Sequence, residues 1–121
     1  MSANKETVMR YIDGFNTNDH DQILSCLTDG IEWTVFGHFH LVGKEAYDNA
    51  IDGPSFAGPP VLKIVRMVEE DDVVMAELSG EVPRADGEVM RMVMGEVFVM
   101  RDALIAERRA FLIELKENEY K

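Results

Sequence analysis

One cysteine, Cys26, stands in a chain of 121 residues. An internal disulfide is therefore excluded, and a lone thiol suits a reducing compartment, the cytoplasm. Basic residues are scarce: 12 Lys and Arg against 23 Asp and Glu leave a net charge of −11. A field of that sign repels nucleic acid and anionic membrane surfaces alike. No apolar run approaches the roughly 18 residues that a membrane span needs. Met1 to Glu6 is polar and lacks an apolar leader segment, so a signal peptide is not expected. There is no Gly-rich phosphate loop and no cofactor signature. These absences make a neutral or cationic small molecule a better-suited partner than a phosphorylated one, and no cofactor is expected.

What is present is an ordinary apolar fraction, 46%, and one domain over residues 1–121 is the natural reading. Val8, Tyr11, Ile12 and Phe15 fall at i, i+3, i+4 and i+7, one apolar stripe of a helix from about Lys5 to Phe15. Asp19 suits the N-cap of a second helix carrying Ile23, Leu24 and Leu27 and stopping at Asp29-Gly30. Ile31–Phe36 alternates as a strand, Gly37 breaks it, and Phe39–Val42 reads as a short return strand. Lys44–Ile51 is a third helix, with Ala46, Tyr47, Ala50 and Ile51 on its apolar side. Asp52–Pro60, with two glycines and three prolines, is a loop. Four strand-like runs follow: Val61–Val68, Val73–Val82, Glu88–Met100 and Ala103–Leu115. Their short connections imply an antiparallel meander, and helices first with strands after is the pattern of an α+β fold.

Turn chemistry gives registers for the last three strands. A two-residue turn at Arg101-Asp102 sets Glu96 opposite Glu107 and Met94 opposite Arg109. A two-residue turn at Asp86-Gly87 sets Glu77 opposite Glu96. Glu77, Glu96 and Glu107 then form one row on one face, with Arg109 diagonal to Glu96. Met90, Met92, Met94, Phe98, Phe111 and Ile113 fill the rest of that face. Like charges directly opposed destabilise a sheet, so a sequestered row should hold at least one protonated carboxyl suited to general acid–base work. The other face carries Val74, Ala76, Leu78, Val82, Val89, Val93, Val97, Val99, Leu104, Ala106 and Leu112. Were that face the one under the helices, the glutamate row would simply be wet. A sheet with two apolar faces needs two covers, and a second copy of the chain, making a homodimer, is expected on the Val/Ala/Leu face.

The order of elements resembles the nuclear-transport-factor-2-like superfamily, over nearly the whole chain. Arg10-Tyr11-Ile12 with Phe15-Asn16 and Asp19 is similar to the first-helix region of ketosteroid isomerases. Asp29-Gly30-Ile31-Glu32-Trp33, Leu41-Val42-Gly43-Lys44-Glu45-Ala46 and Glu107-Arg108-Arg109-Ala110-Phe111 are similar to SnoaL-like proteins. The resemblance implies three N-terminal helices packed on a strongly curved antiparallel sheet, a cone-shaped, cystatin-like α+β barrel. It places the oxyanion-holding tyrosine of ketosteroid isomerases on Tyr11 and their protonated acid on Glu96, an inward position. In those enzymes an apolar site keeps that carboxyl neutral at pH 7, so that it donates a hydrogen bond. Their proton-moving aspartate falls on Val35, which moves no proton. The Asp-Arg-Asp set of limonene-epoxide hydrolases falls near Ser79, Glu77 and Arg109 and is absent.

The expected site thus comprises Glu96, Glu77, Glu107 and Tyr11 as catalytic groups, with Arg109, Trp33, His38, Met92, Met94, Phe98 and Phe111 around the ligand. Tyr11 can hydrogen-bond a ligand carbonyl or sit in the core with its hydroxyl tied locally. His38 and His40, one residue apart on extended chain, point the same way and rim the pocket mouth, with no third ligand at metal spacing. Cys26 reads as core filler. Two functions follow: proton transfer on a carbonyl-bearing apolar substrate, as in an isomerase or aldol-type cyclase, or ligand binding and dimeric scaffolding without turnover.

Overall fold

A computed structural model describes residues 2–52 and 58–116. Helix α1 spans Ala3–Asn16 and helix α2 spans His20–Ser25. The side chains of Ser2 and Asp19 accept the N-cap hydrogen bonds that start them. Strand β1 runs over Leu27–Val35 and β2 over Phe39–Val42, with helix α3 at Lys44–Ile51. Strands β3 (Val61–Glu70), β4 (Val73–Pro83), β5 (Val89–Arg101) and β6 (Leu104–Leu115) complete the chain. The second helix is shorter than its apolar spacing suggests. Leu27 leaves the helix and pairs in parallel with β6, opposite Ile105, because a buried strand position satisfies its backbone as well as its side chain. Residues 53–57 of the expected Asp52–Pro60 loop lie outside the described residues.

All six strands form one sheet in the order β2-β1-β6-β5-β4-β3. It does not close into a barrel: β2 and β3 are its edges. The β3–β6 meander is antiparallel, and β1 pairs in parallel with β6. Tyr11, Val8 and Phe15 of α1 and Tyr47 of α3 are buried with Ile31, Leu78, Phe98 and Ile105 of the sheet. The helices therefore cover one face of the sheet, and the core lies between the two layers.

Two one-residue details decide which side chains share that core. The β4–β5 hairpin is a three-residue loop, Ala85-Asp86-Gly87, with Arg84 and Glu88 closing it through the Arg84 N–H and Glu88 carbonyl. Gly87 takes φ +90°, which a side chain disfavours. The odd loop length pairs Glu77 with Gly95 and Ala76 with Glu96. The β5–β6 turn is Asp102-Ala103, both at positive φ, as a tight right-twisted hairpin demands. Beyond it Met100 pairs with Ile105 but Val99 pairs with Glu107, so Ala106 is the extra residue of a bulge. From there Glu96 pairs with Ala110 and Phe98 with Arg108.

The expected glutamate row therefore does not form. Each slip reverses one strand's faces relative to β5, because the side-chain period in a strand is two. Glu77 and Glu107 stand on the outer face, as do Arg109, Phe111 and Ile113. Val74, Ala76, Leu78 and Val82 turn inward under the helices instead of toward a partner copy.

Candidate functional site

Inside the core, four polar side chains from four elements converge. Glu96 of β5 is 1% exposed and Arg108 of β6 is 5% exposed. They form a two-pronged pair: Arg108 Nε–H donates to Glu96 Oε1 at 2.5 Å and Nη2–H to Oε2 at 2.7 Å. The third prong, Nη1–H, donates to the hydroxyl of Tyr11 on α1. That hydroxyl is hydrogen-bonded in turn to the hydroxyl of Tyr47 on α3. Such a fork matches a carboxylate in geometry as well as charge.

Aromatic rings enclose the guanidinium. Its Cζ lies 4.7 Å from the ring centroid of Trp33, 5.3 Å from Tyr11 and 5.6 Å from Phe15. Trp33 stacks on Tyr47 with centroids 4.4 Å apart. Ring faces carry negative charge density and take over part of the solvation the cation has lost. Burial pulls the Arg108 pKa down, but Glu96 and the two phenol oxygens outweigh it, and the net displacement is upward, so the guanidinium stays charged. Burial pushes the Tyr11 phenol well above its ordinary range, against the lowering field of Arg108. Tyr47 is raised chiefly by burial too. Both phenols are therefore neutral donors, and the Arg108–Glu96 pair cancels in charge.

Beside this cluster lies a cavity of about 290 Å³ under the helices. Val35, Leu62, Val82, Met90, Met92, Met94 and Leu112 form its apolar walls, Ala50 and Ile51 of α3 its rim, and Trp33 and Arg108 its polar end. A wider concavity on the outer face, about 540 Å³, is an open groove over Lys63, Ser79, Glu81 and Arg91. The inner cavity is the better site, because buried donors and apolar walls meet there.

Of the residues expected at the site, Trp33, His38, Met92 and Met94 line the cavity. Glu96 and Tyr11 lie one layer behind it, joined through Arg108. Phe98 is fully buried against Tyr11, ring centroids 5.8 Å apart, away from the cavity lining. Glu77 is on the outer face, 3.1 Å from Arg66. Glu107 and Arg109 pair with each other there at 2.9 Å. Arg109 lies over Phe36, and Phe36 stacks on Phe111, which is 47% exposed. His38 and His40 do not point the same way. The turn at residues 36–38, with Gly37 at φ +82°, breaks the alternation. His38 reaches the cavity while His40 bonds Thr34 on the outer face at 2.7 Å.

Arg108 and Tyr47 are the residues that reasoning from sequence missed. The parity rule put Arg109 inward because an alanine bulge carries no sequence signature. Tyr47 carried a weak signal: two tyrosines on buried helix stripes, Tyr11 and Tyr47, each need a partner for a phenol in the core. Among the described residues no group of three His, Cys, Asp or Glu side chains is placed to hold a metal ion, and no helix is long and apolar enough to cross a membrane.

No curated protein matches the sequence. Among solved structures, the chain is similar to an LEH-like epoxide hydrolase of M. tuberculosis, with 15% identity over 92% of this chain and 83% of that one and a TM-score of 0.81. It is similar to an NTF2-like protein of unknown function from Burkholderia pseudomallei, with 15% identity, 93% and 92% coverage and a TM-score of 0.84. A putative ketosteroid isomerase from Kribbella flavida gives 15% identity, 98% and 84% coverage and a TM-score of 0.75. These likenesses establish the NTF2-like, ketosteroid-isomerase-like fold, and residues 8–108 match the SnoaL-like domain, so the chain belongs to the SnoaL-like family.

Proposed function

We propose that the protein binds a small, largely apolar, carbonyl-bearing molecule in the cavity between its helices and the inner sheet face. The observation that carries this reading is a largely apolar cavity in which Arg108, the charged wall group among the described residues, is already neutralised by Glu96. Such a site gains from burying apolar surface and does not demand a charged ligand. The test is ligand-observed NMR with tetralin, an apolar bicyclic probe, on the parent and on Met90→Trp. Met90 is half-buried at the cavity wall, so an indole there fills the space. Binding by the parent and its loss in a folded Met90→Trp support the reading; no binding, or equal binding by both, sinks it.

An enzymatic reading has its own support in the likeness to an epoxide hydrolase and a putative ketosteroid isomerase. In it the Glu96–Arg108–Tyr11–Tyr47 cluster polarises a substrate oxygen. Both Glu96 oxygens are held by Arg108, so Glu96 acts as a positioning group, and among the described cavity-lining side chains the imidazole of His38 takes the role of proton acceptor. Accelerated exchange of a bound ketone's α-protons in heavy water, abolished by His38→Gln, is the expected sign of turnover.

A homodimer is part of the proposal. The surface for it is the outer face of the sheet, where Met75, Val89, Phe111 and Ile113 are each about half exposed. An apolar face of this kind is covered in water by a partner, most simply a second copy. Light scattering that finds a monomer at micromolar concentration overturns it. A single domain with one reduced cysteine, Cys26, buried in the core, fits the cytoplasm.

A further inference from the structure

Ala50 and Ile51, at the rim of the cavity, belong to the last turn of α3. The helix holds that turn weakly by itself. Its 8 residues are too few for a helix to be stable alone. Gly43 at its N-cap gives no side-chain hydrogen bond, and its last turn has no basic residue to meet the helix dipole. Its buried residue, Tyr47, is bonded to Tyr11, and Lys44 at its first turn lies 3.6 Å from Asp29. The helix is thus pinned at its start and middle.

The end at the cavity is pinned from outside. His20, the first residue of α2, reaches α3 with both ring nitrogens. Nδ1 lies 2.6 Å from Asp48 Oδ1 and Nε2 lies 2.8 Å from Asp52 Oδ2, one helical turn further on. An ionised carboxylate only accepts, so each bond needs an N–H, and only the imidazolium has two. The same cation stands at the negative end of the α3 dipole. A neutral imidazole keeps one bond and turns a lone pair toward the other carboxylate. Around it, Asp19 accepts the N-cap bond from the Gln22 backbone and Asp13 of α1 accepts from the Gln22 amide. Asp21 and Glu45 are exposed, and residues 53–57 contain no ionisable side chain. The Asp48 hydrogen bond is the largest cause raising the His20 pKa. The doubly bonded form is therefore complete below about 6.5 and fades as pH rises through the raised value.

We infer that the proton on His20 latches the end of α3, and that its loss lets Ala50 and Ile51 swing off the cavity mouth. The gate rests on the cavity reading for what passes through it; the latch does not. Because the latch holds the rim and not the ligand, it sets how fast a ligand enters and leaves. Affinity stays the same.

Amide hydrogen exchange of residues 47–51 at pH 6 and pH 9, corrected for the intrinsic rate at each pH, reads the latch. The parent should lose about two- to fivefold in α3 protection at pH 9, the worth of one exposed charged pair, while α1 stays unchanged. Association and dissociation rates of tetralin, from NMR relaxation dispersion, should rise together by the same factor, with Kd steady. His20→Gln should be open at both pH values. His20→Arg, charged throughout and forked for two carboxylates, should be closed at both. An α3 protection that ignores pH in the parent, or follows it equally in His20→Gln, overturns the latch. Loosening of α3 without faster exchange of tetralin overturns the gate. Loosening in a protein that binds no tetralin overturns the cavity reading and supports the latch.

Discussion

Arg108 and Arg109 are neighbours in the chain and opposites in the fold. Arg108 is sealed between two layers, forked onto Glu96 and ringed by aromatics. Arg109 lies on the outer face, its side chain 42% exposed, paired with Glu107 and resting on Phe36. Both have a carboxylate partner and an aromatic one, so the chemistry is the same and the dielectric differs. In water, an ion pair is worth little beyond the entropy of holding it. In the core, the pair is also weak evidence for stability as a unit, yet either half alone is an uncompensated buried charge or an unsatisfied fork. The inner arginine can therefore organise a site, while the outer one decorates a surface.

The largest test of that contrast is a matched pair of substitutions. Arg108→Met should cost about 3–5 kcal/mol, because it strands Glu96, whereas Arg109→Met should cost less than about 1 kcal/mol. Urea unfolding of both variants measures the difference, and equal losses would erase the distinction between the two faces. Glu96→Gln should also destabilise, since the glutamine amide cannot match the fork of Arg108. The row of opposed carboxylates expected from sequence would have made that change harmless or helpful.

A second test sharpens the claim that the cost is a stranded charge and not lost packing. Combining Glu96→Met with Arg108→Met should recover about 2 kcal/mol or more relative to the sum of the single changes. Additive losses in a double-mutant cycle would assign the effect to packing alone.

A smaller effect is expected at the turn that feeds Arg108 into the core. Ala103 sits at φ +61°, a conformation that costs an L-residue roughly 1–2 kcal/mol and glycine much less. Ala103→Gly should raise the unfolding free energy by about 1 kcal/mol, with its carbonyl still accepting from Thr7 Oγ1. A destabilised variant would mean that the turn is not under this strain.

The smallest effect is electrostatic and lies on the helical side. His20 bonds Asp48 through Nδ1 at 2.6 Å and Asp52 through Nε2 at 2.8 Å. Only the imidazolium donates from both nitrogens. The hydrogen bond to Asp48 is the largest cause holding the His20 pKa above its ordinary value, helped by Asp52 and opposed by slight burial. The stabilisation is therefore complete below the unfolded value of about 6.5 and fades as pH rises through the raised folded value. Parent and His20→Gln should differ by less than about 1 kcal/mol at pH 6, as the site is largely exposed, and converge at alkaline pH. Thermal melts across that range that show a constant gap, or one that widens with pH, would rule out the charged clamp.

Much of the architecture was legible from local chemistry. The Val8–Phe15 stripe, the Asp19 cap, the Gly37 break, the α3 bounds and the four long strands all rest on interactions within a few residues of one another. The resemblance to SnoaL-like proteins carried the same signal, and it put Tyr11 and Glu96 in one interior. What the sequence by itself determined is therefore the list of elements and their order, while the inward place of Glu96 on β5 was implied by the resemblance alone. Which residues of β4 and β6 join Glu96 on that inward face was decided by tertiary structure. A three-residue loop at Ala85-Asp86-Gly87 and a bulge at Ala106 each add one residue, and one residue reverses a strand. Neither has a dependable local signature, because both arise where the twist of the sheet and the burial of whole strands outweigh the preference of a few residues. Burying Leu78, Val74 and Val82 under the helices, and leaving Glu77 and Glu81 in water, favours the slipped register by far more than any turn dipeptide can oppose. Arg108 is carried inward by that same slip, where only a partner already waiting, Glu96, makes its burial tolerable.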